Sequence, residues 1–526
     1  MNGRYKKADK TSFYNLLIYF VLLAFSFVLL YICTASSPRY ASNPWNDANA
    51  FLTMGRAMEN GMTIYKDIFE QKGPLLYLLH AVASLISDSS FLGVYIIQSL
   101  FLSATAFAAY KIASLYVGTA HSIIASVLTC FVTVNSGSYY YGDSAEEFCL
   151  PFLLISIYFF CKYFKNTESS KLNNPVFLLV GFFAGCVAMI KFTVIGFCFA
   201  WAAYISLYTW IAKKNFKKAF VDAVVFIGGM ALAVMPWIIY FAAKGAIYDF
   251  FNTYFVLNAT AYPKVESLSF IARIFSPLHS LGENLVISPV LFTLGFLGII
   301  LFAVTNIFAE KKFFSRISVP FVCCLGLYII YFGIRYYNYY FIPMSAFTVF
   351  SFIAFAQALE KLNKSRIVAI VLCAVIIPFT AVASNYCNLS SKYALKKGEE
   401  TVQAQAAEFV TKKSEKKILN YGCLDSGIYL ATGQIPQFKH FEKQNLLYDK
   451  YPDNIDEQNR YISEREADYV AIAAKQDMTL SDIYESNRSL ETEYELVFSK
   501  KYDIHESALT NKKNTETYYL FQLKEN

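Results

Sequence analysis

The side chains of this sequence that could do chemistry are few and fall in short groups. Trp45-Asn46-Asp47 is one, and Tyr65-Lys66-Asp67-Ile68-Phe69-Glu70-Gln71-Lys72-Gly73-Pro74 is a second. A third is Tyr139-Tyr140-Tyr141-Gly142-Asp143-Ser144-Ala145-Glu146-Glu147, and a fourth is Arg335-Tyr336-Tyr337-Asn338-Tyr339-Tyr340. Lys191 stands by itself inside a long apolar block. A carboxylate within hydrogen-bond reach of a hydroxyl can take its proton. Cations at fixed positions stabilise negative charge that develops on a leaving oxygen. Plainer roles compete for the same residues. Asp47 suits a helix N-cap, Glu146 and Glu147 suit a helix first turn, and the tyrosine runs suit an interfacial belt. Lys72, before Gly-Pro, also reads as a solvated loop residue. Lys191 is the hardest to explain as ordinary, because a charge in an apolar segment is costly and is by default a functional residue.

The elements that must position these groups are membrane helices. Of the 526 residues, 56% are hydrophobic, 18% aromatic and 16% charged. Soluble domains carry roughly 45–50% apolar and about 25% charged residues. Phe13 to Ile32 has no charge, and Phe220 to Ala243 has only Asp222. Runs of that length cross a hydrocarbon core of about 30 Å as helices. Soluble enzymes, disordered scaffolds and disulfide-rich secreted domains are thereby excluded. The net charge of +7 comes from lysines and arginines spaced between apolar runs, which excludes a nucleic-acid-binding face. Arg4, Lys6, Lys7 and Lys10 precede the first apolar run as in a signal peptide, but the run is long and lacks a small-residue cleavage site. An uncleaved first helix is expected.

Lysine and arginine in short loops mark the cytoplasmic side, here residues 1–12, 162–171, 213–218, 310–316 and 360–366. Parity then gives eleven spans: 13–34, 91–113, 121–137, 147–164, a hairpin of two within 175–211 with Lys191 at its outer tip, 219–243, 284–307, 318–336, 340–359 and 367–386. External loops follow at 35–90, 138–147 and 244–283. The apolar Leu75–Ile86 run is too short to span and is expected to lie on the outer interface. The candidate groups then share the outer side, where they suit chemistry on a lipid-linked headgroup. A transporter would place its ionisable groups at mid-membrane on broken helices.

Residues 387–526 are of different composition. A helical stretch (Val402–Lys413) and strand-like runs at Lys417–Tyr421, Tyr469–Ala473, Tyr494–Ser499 and Tyr518–Leu523 predict a small extracytoplasmic α/β domain. It shows no phosphate loop, metal spacing or nucleophile elbow. Nine of the eleven cysteines lie in or beside apolar segments; Cys387 and Cys423 do not, and a disulfide between them is a minor alternative.

Three segments together resemble a known family. Asp47-Ala-Asn-Ala-Phe, Gly61-Met-Thr-Ile-Tyr65-Lys-Asp67 and Lys72-Gly73-Pro74-Leu-Leu-Tyr77 are similar to the first external loop of fold-C (GT-C) integral-membrane glycosyltransferases. Within that superfamily they look like the protein O-mannosyltransferase-like, aminoarabinose transferase-like and rhizobial core galacturonosyltransferase-like groups. Gly185-Cys-Val-Ala-Met-Ile-Lys191 and the Tyr-Asn-Tyr-Tyr-Phe-Ile-Pro343 segment resemble the same superfamily, and the likeness covers about residues 10–385. The resemblance implies a bundle of about eleven helices and a polyprenyl-phosphate sugar donor. It also implies transfer outside the cytoplasm with inversion. It maps the early-loop acid to Asp47, as base or acceptor-orienting carboxylate, and the lysine before Pro-Pro to Lys72, although Gly73-Pro74 replaces two prolines here. Where many relatives carry His-Tyr, this chain has Asn338-Tyr339.

The expectation is a multi-pass plasma-membrane glycosyltransferase, with residues 1–386 as transferase module and the N-terminus cytoplasmic. It would move a hexose or pentose to a cell-wall polymer, lipid-linked glycan or protein. Asp47 is the first candidate base, with Asp143 and Glu146 next. Lys72, Lys191 and Arg335 are candidates for the donor phosphate, and Tyr65, Asp67, Asn338 and Tyr339 for substrate binding. No cofactor is required by this reading. A divalent cation, Mg or Mn, on the Asp143–Glu147 carboxylates is an open alternative. The rival functions are a flippase or transporter of lipid-linked sugars and a non-catalytic envelope-assembly subunit.

Overall fold

The computed structural model describes residues 2–165, 173–261, 269–309, 312–332, 337–362, 365–410, 416–505 and 513–525. The chain forms two compact units. One gathers Met1–Thr34, Ile96–Met235 and Leu268–Lys392; the other gathers Ala35–Tyr95, Pro236–Ser267 and Tyr393–Asn526.

The first unit is helical, and the chain is a multi-pass membrane protein. Across the described residues, eight helices are long and apolar enough to cross a membrane: Phe13–Cys33, Leu92–Ala113, Ala145–Lys165, Phe192–Ile211, Phe216–Ala243, Phe313–Tyr331, Asn338–Leu362 and Ile367–Cys387. Three shorter apolar helices, Thr119–Val134, Asn174–Ile190 and Pro289–Val304, occupy the remaining expected spans. Small residues let these helices approach closely. A Cβ on Gly181 would run into the Phe226 carbonyl, and one on Gly229 into the Leu178 carbonyl, so two helices cross backbone to backbone. One expected span divides: the structure has Phe270–Ile287 and then Pro289–Val304. Pro289 has no N–H to carry a continuous helix and disfavours helical geometry at Ser288.

The second unit takes the early loop and the tail together, where the sequence grouped the loop with the membrane module. The early loop contains a helix that sequence reading placed in a loop, Asn46–Glu59, whose residues 48 to 57 are all buried. It packs on the Pro74–Ile86 helix, where Gly55 leaves no room for a side chain beside His80. The tail builds a four-stranded sheet from β1 (Ile418–Asn420), β2 (Tyr469–Lys475), β3 (Tyr494–His505) and β4 (Lys513–Leu523), in the order β1-β2-β4-β3. β1 runs parallel to β2 and the other pairs are antiparallel. Leu419, Val470, Ile472 and Phe521 pack with Phe438, Tyr461 and Ile462 as its core. The loop joins this domain by backbone pairing: Ala41 N–H donates to the Leu395 carbonyl at 2.9 Å and Phe69 N–H to the Lys439 carbonyl at 2.9 Å. All eleven cysteines are free thiols, Cys387 and Cys423 included.

Candidate functional site

In the membrane unit the chemistry-bearing groups converge on one turn and one helix break. Tyr140, Gly142 and Asp143 all have positive φ, at 57°, 82° and 74°. Left-handed backbone at non-glycine residues costs on the order of 1–3 kcal/mol each and persists only where neighbours enforce it. Glu147 does the enforcing. One carboxylate oxygen accepts from Asp143 N–H at 2.9 Å and Gln98 Nε2 at 3.0 Å, and the other accepts from the Tyr139 hydroxyl at 2.8 Å. Gln98 is held in turn by the Thr34 hydroxyl at 3.0 Å. Asp143, Glu146 and Glu147 are all buried.

Lys191 separates the Asn174–Ile190 helix from the 3-10 turn Phe192–Ile195. Its ammonium forms a buried ion pair with Glu146 and lies 3.5 Å from the centre of the Tyr340 ring and 5.2 Å from that of Tyr339. Asn338 opens the turn Asn338–Met344 that carries both tyrosines. The structure thus brings Glu146, Lys191 and Tyr339 together, with Asp143 one turn away in the chain. Arg335 lies outside the described residues.

The second unit has its own constellation. The helix that carries Asp47 is capped by Trp45 without a side-chain hydrogen bond, so Asp47 is a half-buried first-turn acid and not the N-cap. Phe51 stands one turn further on the same helix, and the Lys72 ammonium lies 5.4 Å from its ring centre. Lys72 pairs with Glu70 at 3.3 Å. The buried Glu70 carboxylate also takes Lys72 N–H at 2.9 Å and the Tyr77 hydroxyl. Tyr65 is fully buried and donates its hydroxyl to the Lys72 carbonyl at 2.6 Å, while Asp67 accepts from Thr63 N–H at 2.7 Å. Both shape the loop that presents Lys72.

The tail adds two carboxylates that sequence reading passed over. Asp425 accepts from the Thr53 hydroxyl at 2.6 Å and Gly427 N–H at 2.8 Å, and donates its own N–H to Glu442 at 2.5 Å. Arg56 reaches the Tyr429 and Gly433 carbonyls at 3.0 and 2.8 Å. Burial pushes Asp425 up to about 6, opposed by its Thr53 and Gly427 hydrogen bonds. Burial, then the charges of Asp425, Glu70 and Asp47, hold Glu442 well above the usual carboxylate range. Thr53 and Asp425 are 372 residues apart, so no spacing signal could join them. Glu70 had a usable signal, two residues before the lysine it pairs with.

The arrangement of these donors does not confirm a divalent cation. Among the described residues no group of three or more His, Cys, Asp or Glu side chains is placed to hold a metal ion. Both oxygens of Glu147 already accept protein hydrogen bonds, and Glu146 is paired with Lys191.

Residues 7–369 match the family model described as "Putative competence-induced protein Ccs4 N-terminal domain". The chain belongs to that family. No curated protein matches the sequence. Solved structures share the fold. The archaeal oligosaccharyltransferase AglB from Archaeoglobus fulgidus, in complex with an inhibitory peptide and a dolichol-phosphate, is 14% identical, with a TM-score of 0.51 over 88% of this chain and 70% of that one. The same archaeal enzyme with Zn and sulfate gives 14% identity and 0.50 over 87% and 68%. ArnT from Cupriavidus metallidurans, bound to undecaprenyl phosphate, is 12% identical, with a TM-score of 0.52 over 95% of this chain and 97% of that one. The fold is therefore GT-C-like, a polytopic helical bundle with a small C-terminal sheet domain.

Proposed function

We propose that this protein is a membrane glycosyltransferase that moves a sugar from a polyprenyl-phosphate donor to an extracytoplasmic acceptor. The observation that carries the reading is the likeness to two different proteins on one fold, each holding a polyprenyl phosphate, dolichol-phosphate in one and undecaprenyl phosphate in the other. The N-terminus is cytoplasmic and the tail domain outside in this proposal, as the lysine-rich short loops require.

The chemistry is a single displacement. The acceptor hydroxyl gives its proton to a carboxylate as its oxygen attacks the anomeric carbon. The bond to the phosphate oxygen breaks, and the polyprenyl phosphate leaves with the electron pair. Asp47 is the proposed base, being half-buried in the first turn of a helix. Glu146 is less available because Lys191 engages it, and Asp143 is fully enclosed. Lys72, in the unit that holds Asp47, is the candidate cation for the leaving phosphate; Lys191, which Glu146 engages in the other unit, is the alternative. Asn338 and Tyr339 are candidates for sugar contacts, whereas Tyr65 and Asp67 act by shaping the Lys72 loop. No step runs through a metal ion.

The test is a discharge assay in nanodiscs with radiolabelled polyprenyl-phosphate sugars and cell-envelope extract as acceptor source, wild type beside Asp47→Asn. Wild type should discharge one donor, and Asp47→Asn should lose about 10²–10⁴-fold in transfer rate while retaining donor binding. Donor untouched by wild type would sink the transferase reading. Full activity in Asp47→Asn would move the base elsewhere.

A further inference from the structure

Four lysines at one end of the membrane unit lie over aromatic rings. Lys111 ends the Leu92–Ala113 helix, Lys162 and Lys165 end Ala145–Lys165, and Lys213 follows Gly196–Ile211. Lys111 and Lys162 lie over the same Tyr158 ring, 6.0 and 5.8 Å from its centre. Lys165 lies 5.2 Å from the centre of Tyr116, and Lys213 lies 4.8 Å from Tyr163 and 5.6 Å from Tyr208. Tyr158 and Tyr163, both on the Ala145–Lys165 helix, receive Lys111 and Lys213 and so place the three helix ends side by side. Among the described residues none of the four pairs with a carboxylate, whereas nearby Lys218 is ion-paired with Asp222.

We propose that this lysine-and-tyrosine end binds the phosphate headgroups of anionic membrane lipids. A helix C-terminus favours a cation by itself, but it does not account for an aromatic ring beneath every lysine. A tyrosine face orients an ammonium without neutralising it, so the full charge remains for a phosphate. Three of the four side chains are exposed and Lys111 is half-buried, as a site meeting headgroups at the membrane boundary requires. Two lysines on one ring repel each other, and a single phosphate between them relieves that repulsion. A lipid is favoured over a soluble anion because the lysines end membrane-spanning helices at the depth where headgroups lie.

The experiment is native mass spectrometry of the full chain in detergent, offered phosphatidylglycerol and phosphatidylcholine in equal amounts. Wild type should retain phosphatidylglycerol preferentially. The double variant Lys111→Gln/Lys162→Gln should weaken that retention by about fivefold per lysine removed. A charge-matched double variant in the tail, Lys475→Gln/Lys501→Gln, should leave it unchanged. If the first variant fails to fold, as judged by lipid-free melting, Lys165→Gln/Lys213→Gln tests the same surface. Three results overturn the proposal: no preference in wild type, equal loss in membrane-end and tail variants, or displacement of the lipid by millimolar inorganic phosphate.

Discussion

Each of the two units holds a lysine against a glutamate and over an aromatic ring, yet the two arrangements differ in what they can do. Lys191 and Glu146 come from segments 45 residues apart, and both are buried within a helical bundle. Lys72 and Glu70 are two residues apart in one loop, and the Lys72 side chain keeps 16% of its surface accessible. Glu70 also has two further donors, Lys72 N–H and the Tyr77 hydroxyl. The first pair therefore joins two elements and depends on both members, because an uncompensated charge in a bundle core has nowhere to go. The second pair is a local tether in which one oxygen of the acid keeps two donors if the ammonium leaves and the other oxygen loses its partner. One lysine is placed to hold structure together, and the other to change partners.

The comparison breaks most visibly at Glu146. Replacing it with alanine takes the compensating carboxylate from the Lys191 ammonium in a buried site, and losing one partner of a buried pair costs about 3–5 kcal/mol. Glu146→Ala should therefore lower the unfolding midpoint in detergent sharply, and Glu146→Ala/Lys191→Met should recover much of the loss. A double variant no more stable than the single one would show that the pair does not couple the two helices.

A second contrast, of intermediate size, lies in how the tail responds to acid. Asp425 is raised to about 6 by burial, from a usual value near 3.8. An acid whose pKa is raised in the folded state stabilises the fold when protonated, fully so below about 3.8, and that contribution disappears as pH climbs through about 6. A rise of that size corresponds to about 3 kcal/mol. Wild type should resist limited proteolysis of the tail better at pH 5 than at pH 7, and Asp425→Asn should shrink that difference, the remainder coming from Glu442, which burial also raises. Parallel profiles for the two proteins would contradict the burial argument.

Much of the helical fold could be read in advance, because a span declares itself by uninterrupted apolar length. Lys191 also declared itself, as a charge inside such a length, and the structure sets it at the break of the hairpin. The tail strands followed from their alternation, with β2 and β4 lying on the expected stretches. What could not be read were contacts without spacing. Thr53 meets Asp425, and Arg56 meets the Gly433 carbonyl, through folding alone. The Asn46–Glu59 helix was missed because its polar ends and small residues resemble a loop, although Phe51 and Met54 recur at helical spacing. For Asp143, the backbone geometry that marks the turn exists only once Glu147 folds back on it.

The finest test lies at Lys72, where fold and function should separate. Lys72→Ala leaves one Glu70 oxygen accepting from the backbone N–H of residue 72 and from Tyr77, and takes the ammonium away from the other. The Lys72 side chain keeps 16% of its surface accessible, so water reaches the freed oxygen more readily than it reaches a bundle core, and the unfolding midpoint should move less than that of Glu146→Ala. Donor use should respond differently. A hydrogen bond to a charged group is worth about 1.5–3 kcal/mol, which is about a 10–100-fold rise in the donor KM if Lys72 holds the phosphate. Glu70→Gln should alter the midpoint more and the donor KM less, since it loosens the tether and leaves the cation. If Lys72→Ala instead costs as much stability as Glu146→Ala, the two pairs are the same kind of device, and Lys72 has no claim to the donor.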